Sequence, residues 1–184
     1  MRRDWQLDIA WNVRWFRRIS RHSGRSPLLD ATFRALTPVG KGWAAALLIP
    51  IFFFAGGPGA AIALTSALVL TGLVVLVLKR IFRHRRPTRL LDGVHNPEGI
   101  HARSFPSGDA AYAWCVFAAS SSVLAPVAQG LLGALALLIA VGRIYRGVHF
   151  PLDVAVGAAI GAGFGAAIGH PLVERTLTGL TATG

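Results

Sequence analysis

The chain has 184 residues, of which 53% are hydrophobic and 15% charged, against about 25% charged in an ordinary soluble domain. No Asp, Glu, Lys or Arg occurs between Gly42 and Leu78, between Ala110 and Gly142, or between Val154 and Val173. Uncharged runs of roughly 18 residues or more mark membrane-spanning helices, so a soluble globular domain is excluded. The net charge of +11 lies in the N-terminal segment and beside the apolar runs, which suits anionic headgroups or phosphorylated substrates and argues against nucleic acid.

Residues 1–40 form a basic, Trp/Arg-rich unit. Trp5, Trp11, Trp15 and Phe16 alternate with Arg14, Arg17 and Arg18, a mixture at home among headgroups. On a helix Trp5, Ile9, Val13, Phe16 and Ile19 share a face, interrupted by Asp8 and Asn12, so an interfacial helix is expected. Arg2 and Arg3 suit the start of a signal peptide, but no apolar core follows before Lys41, so no cleavable signal is expected. Residues 26–39 predict a second short surface piece with Leu28, Leu29, Phe33 and Leu36 as its apolar side.

Residues 41–173 predict a transmembrane bundle, and residues 174–184 a short tail. Gly56-Gly57-Pro58-Gly59 divides the first apolar run into spans at 43–55 and 60–78. A basic cap from Lys79 to Arg89 and a polar loop with Pro97 and Gly99 follow. Ala125-Pro126 and Gln129-Gly130 divide the second run into spans at 110–124 and 131–142, and the last span covers 152–169. The fold class is therefore all-α, a polytopic membrane helical bundle of about five transmembrane helices plus the interfacial helix. Gly157, Gly161, Gly165 and Gly169, four apart, leave one face of the last span as bare backbone for a neighbouring helix. Packing within the bundle is the first reading of that face and a homodimer seam the second. The single cysteine, Cys115, excludes an intrachain disulfide and Cys-rich metal sites.

Chemistry concentrates at three places. Lys79 stands seven residues before Arg86-Pro87, Pro106-Ser107-Gly108 opens a membrane-length helix, and Arg143 is followed by His149 and Asp153. Counting crossings puts all three on one membrane face. Two guanidiniums and an ammonium brought together there repel one another unless a polyanion binds between them, and guanidinium forks match phosphate oxygens. Interfacial snorkelling explains Arg80, Arg83, Arg85 and Arg89. It does not explain His149 and Asp153, four apart at the start of a span, where a carboxylate is costly. On one helical face Asp153 can orient the imidazole and stabilise its cationic form. His84, His95 and His101 are scattered on loops without ligand spacing, so no metal and no other cofactor is expected.

This three-part pattern resembles the phosphatase signature of the type 2 phosphatidic acid phosphatase superfamily: K-x6-R-P, P-S-G-H and S-R-x5-H-x3-D. The resemblance implies a metal-independent membrane lipid phosphatase of the cell membrane, as in the bacterial inner membrane, acting on a lipid phosphate or an isoprenoid (prenyl) diphosphate. It implies that His149 is the nucleophile, giving a phosphohistidine, and that Asp153 orients it. It implies further that Lys79, Arg86, Ser107, the Gly108 N–H and Arg143 cradle the phosphate. Two positions depart from the pattern. Gly142 replaces a serine, and Asp109 stands where the family has the histidine that protonates the leaving group, placing Asp109 among the catalytic candidates. Protonating an ordinary Asp at pH 7 costs about 4 kcal/mol.

Two alternatives stand beside hydrolysis: transfer of the phosphoryl or headgroup to another acceptor, and a non-catalytic phospholipid-binding or transport protein that keeps the cradle. Membrane lipids are the expected partners in every case. The positive-inside rule puts residues 1–34 and the catalytic loops on the cytoplasmic side, whereas the resemblance to bacterial members implies the outer face.

Overall fold

Proline opens most of the helices, where its missing N–H has no intrahelical acceptor to lose and its fixed φ suits the first turn. The computed structural model describes residues 9–95 and 103–181, with residues 170–181 as helical backbone. In chain order the helices are α1 (Ala10–Ser20), α2 (Pro27–Leu36), α3 (Gly42–Ala46), α4 (Ile49–Ile81), α5 (Pro87–Leu90), α6 (Gly108–Ala119), α7 (Pro126–Tyr145) and α8 (Pro151–Thr181). Short 3-10 turns at Pro38–Gly40 and Ser120–Ser122 join α2 to α3 and α6 to α7. Among the described residues three helices are long and apolar enough to cross a membrane: Ile49–Ile81, Pro126–Tyr145 and Pro151–Gly169. The expected short span at 43–55 and α6 are apolar but shorter.

The long α4 is two antiparallel arms. Gly57 has φ 73 and ψ −172, outside the helical region, and precedes Pro58, which disfavours helical backbone in the residue before it. Gly42 and Gly72 both face the Tyr112 ring: a Cβ on either would lie 2.9 Å and 2.6 Å from Tyr112 atoms. In a straight helix residues that far apart in sequence stand about 45 Å from each other. The chain therefore reverses at Gly57, a sharper break than the four-residue loop the sequence suggests. A second boundary also shifts. The α7 helix starts at Pro126 and carries Gln129 and Gly130 within it, and it runs on to Tyr145, so Arg143 sits on its last turn instead of in a loop.

The glycine face of α8 is occupied by α6. A Cβ at Gly157, Gly161 or Gly165 would run into the carbonyl oxygens of Ser107, Ala111 and Cys115, and one at Gly169 would lie 2.9 Å from the Ala119 Cα. That assigns the stripe to packing inside the bundle and leaves no bare face there for a homodimer seam. Large apolar side chains such as Phe54, Val69, Leu73, Val127 and Leu131 point outward, while Arg86, Arg143, Arg146, His149 and Asp153 are buried. This arrangement suits hydrocarbon outside and a polar site within.

The N-terminal helices pack against the polar end of α7 and α8. Phe16, Val13 and Ile19 of α1 join the cluster of Ala110, Ile144, Phe150 and Val154, while Trp11 and Trp15 stay exposed. Asn12, expected to interrupt the apolar face, is fully buried, and its Oδ1 accepts from the Leu152 N–H at 3.1 Å, satisfying a first-turn donor of α8. Ile9 is exposed, and Trp5 and Asp8 lie outside the described residues.

Gly161→Ala is expected to destabilise the protein by about 1–3 kcal/mol, the usual range for overpacking. Gly163→Ala, whose Cβ would meet nothing within 4 Å, is expected to be neutral or stabilising by up to about 1 kcal/mol through helix propensity. Thermal unfolding of the detergent-solubilised protein compares the two.

Candidate active site

The three stretches singled out in the sequence converge at one end of the bundle. His149, in the short loop between α7 and α8, is held by backbone: its N–H and that of Val148 both donate to the Arg143 carbonyl, at 3.3 and 3.2 Å. One helical turn on, Asp153 is fully buried, with Oδ2 3.5 Å from His149 Nδ1. The same oxygen accepts from the Phe150 N–H at 2.9 Å and from the Ser104 hydroxyl. Ser104 Oγ also lies 3.3 Å from His149 Nδ1. With a carboxylate on Nδ1, the neutral ring carries its proton there and presents Nε2. That nitrogen faces Arg86 Nη1 at 3.4 Å.

Arg86 is buried, and its Nη1 donates to the Val148 carbonyl at 2.7 Å. Its neighbours Arg80, Arg83, Arg85 and Arg89 are exposed, which separates the one arginine turned to His149 from those at the surface. Lys79, at the end of α4, donates to the Arg103 and Ser104 carbonyls, both at 3.3 Å, while Arg103 Nη1 donates back to the Lys79 carbonyl at 3.0 Å. These bonds fix the stretch that carries Ser104. Ser107 stands at the N-cap position of α6, and its N–H donates to the Asp153 carbonyl at 2.9 Å. Ser107 Oγ is buried without a hydrogen-bond partner among the described residues. The N–H groups of Gly108 and Asp109 belong to the first turn of α6, where a helix has no acceptors of its own and favours anions.

Asp109 turns to cations. Its Oδ2 is 3.1 Å from Arg143 Nε and 3.1 Å from Lys41 Nζ. It thus holds the guanidinium of Arg143 from the side while Lys41, just ahead of α3, closes over it. Gly142 also has a physical reason: a Cβ there would lie 2.7 Å from Phe33 Cδ1, so α2 closes on α7 where the family pattern has serine.

Burial pushes the His149 imidazole well below its ordinary value, and the charges of Arg86, Lys79, Arg143 and Lys41 push the same way. The ring is thereby kept neutral, as a nucleophile requires.

Every described site residue read from the sequence lies at this end of the bundle. Sequence reasoning missed Ser104 and Lys41. Ser104 carries no spacing signal, and Lys41 reads as a lone snorkelling charge before an apolar run. His84, read as a loop residue, is buried against Phe105 and Phe82, and its carbonyl accepts from the Ser104 N–H at 2.9 Å. His101 lies outside the described residues.

Geometry of this kind is that of a membrane-embedded phosphatase. The sequence model of the PAP2 superfamily matches residues 60–175, and the chain belongs to that superfamily. The crystal structure of Aquifex aeolicus LpxE matches with a TM-score of 0.80 and 39% identity, over 87% of this chain and 95% of that one. A transmembrane PAP2-type phosphatidylglycerolphosphate phosphatase from Bacillus subtilis shares the fold, with a TM-score of 0.67 and 22% identity over 95% and 88% of the two chains. No curated protein sequence matches. The chain is an integral membrane phosphatase.

Arg86→Lys is expected to lower turnover by about 10²-fold or more, since an ammonium cannot reproduce a fork preorganised for phosphate oxygens. Arg83→Lys should stay within about two-fold, as befits an exposed charge. Release of radiolabelled phosphate from a lipid phosphate measures both. In phosphate-free protein, His149 should stay neutral from about pH 8 to about pH 6, below the ordinary histidine value of about 6.5. Nitrogen NMR of labelled histidine reads that directly.

Proposed function

We propose that the protein hydrolyses lipid phosphates through a phosphohistidine on His149 and prefers lipid diphosphates, prenyl diphosphates among them. The observation that carries this reading is the buried His149–Asp153 pair, with Nδ1 turned to the carboxylate and Nε2 to Arg86. In the first step Nε2 attacks phosphorus, the Nε2–P bond forms, and the P–O bond to the lipid breaks. The Nδ1 proton stays on the ring, whose developing positive charge Asp153 stabilises. Arg86, Arg143, the Ser107 hydroxyl and the free N–H groups of α6 receive the charge on the transferring oxygens. Water then attacks phosphorus, the Nε2–P bond breaks, and inorganic phosphate and neutral His149 are regenerated.

The substrate preference follows from the leaving group. Expelling an alcohol produces an alkoxide comparable in basicity to hydroxide, whose conjugate acid has a pKa of about 15.7, so a proton is needed in the transition state. A departing phosphate monoester, with a second pKa of about 6, needs no such help. Asp109, engaged by Lys41 and Arg143, has the geometry of a counterion and not of a proton donor. A diphosphate loses least by that arrangement.

His149→Ala is expected to abolish release of phosphate, and Asp153→Asn to lower it severely without ending it, because the nucleophile remains while its orientation is lost. Substantial hydrolysis by His149→Ala would overturn the mechanism. Asp109→His should raise the ratio of monoester to diphosphate turnover by about ten-fold or more, part of the 10²–10⁴ that general acids supply. Rates on phosphatidic acid and on a prenyl diphosphate give that ratio, and an unchanged value removes the argument for diphosphates.

A further inference from the structure

The three motifs of the catalytic end leave a second basic cluster unused. Arg17 and Arg21, one helical turn apart at the end of α1, and Arg25, in the turn that follows, line a cavity of about 260 Å³. That is room for a hydrated phosphate group. Its other polar walls are Ser20, Ser23, His95 and, among the described residues, one carboxylate, Asp92. Three guanidiniums against one carboxylate leave the cavity positive. Ser23 Oγ is buried without a hydrogen-bond partner among the described residues, so the wall also holds an unused hydroxyl. Arginines that merely snorkel reach outward to headgroups. Arg17, Arg21 and Arg25 are themselves exposed, but all three line the same hollow.

The cavity stands one layer of side chains behind the catalytic loop. Phe16 lines it and packs on Phe150, ring centroids 5.4 Å apart, and Phe150 follows His149 in sequence. His95 lines it too, and its carbonyl oxygen would lie 2.5 Å from a Cβ on Gly147, two residues before His149. The cavity and the catalytic centre thus share a wall without sharing a polar residue.

We propose that this cavity is a second phosphate site, distinct from the site of hydrolysis, which takes the phosphate of a lipid headgroup or free inorganic phosphate. Guanidinium forks and a hydroxyl are the groups that recognise phosphate oxygens. The assignment does not depend on turnover at His149.

Isothermal titration tests it on the full chain in phosphatidylcholine nanodiscs, with the non-hydrolysable phosphonate analogue of dihexanoyl phosphatidic acid as probe. Two equivalents are expected to bind the unaltered protein. In Arg21→Gln/Arg25→Gln the second equivalent should weaken by at least about ten-fold, as loss of charge-assisted hydrogen bonds predicts. Asp92→Asn removes the lining carboxylate of the described residues and should tighten that equivalent by about two- to five-fold, a gain that misfolding cannot mimic. A parallel titration with inorganic phosphate separates the sources. Displacement of the second equivalent by phosphate alone assigns the site to the free anion, and its retention assigns it to the lipid headgroup. No binding by the unaltered protein, or binding of one or two equivalents that is indifferent to both variants, overturns the proposal. Failure of the hydrolytic reading shows separately, as phosphate release that survives His149→Ala.

Discussion

The backbone contact between α6 and α8 is the constraint on which the site depends. Gly157 lets the last helix approach until its backbone meets the Ser107 carbonyl, and the Ser107 N–H then donates to the Asp153 carbonyl at 2.9 Å. That hydrogen bond ties the Pro-Ser-Gly turn to the first turn of the helix bearing Asp153. Van der Waals packing of bare backbone is what drives helix association where lipid tails remove the hydrophobic difference. The same packing therefore assembles the fold and sets the register between the Pro-Ser-Gly turn and the His–Asp pair. A larger residue at Gly157 or Gly161 would separate α6 from α8 and move the two halves of the site apart.

Burial of so much positive charge needs counterions, and the two carboxylates divide that work. Asp153 takes the imidazole and the Ser104 hydroxyl, with a backbone N–H to fix its direction. Asp109 takes Arg143 and Lys41. Each aligns one of the groups that would touch the phosphate, His149 in one case and Arg143 in the other. Buried ion pairs offer little net stability, because desolvation offsets attraction, but they fix geometry. The pattern of partners is accordingly better explained by orientation than by strength.

Much of this was legible in the sequence because the physics that shapes it is local. Uncharged runs gave the bundle, glycines four apart gave the close face of α8, and a His and an Asp four apart at a helix start gave the dyad. What stayed hidden is what depends on distant chain. Ser104 has no periodic partner, and only folding brings its hydroxyl to Asp153, 49 positions on. Lys41 meets Asp109 across 68 positions. Asn12 looked like a flaw in an apolar face because its acceptor role exists only once the start of α8 lies beside it. Gly142 read as a lost hydroxyl until Phe33 of α2 was seen against it.

Apart from that of Ser104, these distant ties share one origin, the N-terminal segment up to Lys41. Each of its pieces holds an element of the catalytic end: Asn12 takes the Leu152 N–H, Phe33 covers Gly142, Lys41 reaches Asp109, and Asp30 with the His22 carbonyl accepts from the Tyr145 hydroxyl at 2.9 and 3.0 Å. Tyr145 stands two residues after Arg143, so the last bonds steady the turn that positions that guanidinium. A surface helix lying free among headgroups would have no need of buried Asn12 or Phe16. The amphipathic pattern of α1 is better understood as two surfaces at once, Trp11 and Trp15 exposed and Asn12 and Phe16 toward the protein. The segment that composition marks as a membrane-surface element is also the back wall of the site, and this is why its arginines reach a cavity beside the catalytic loop.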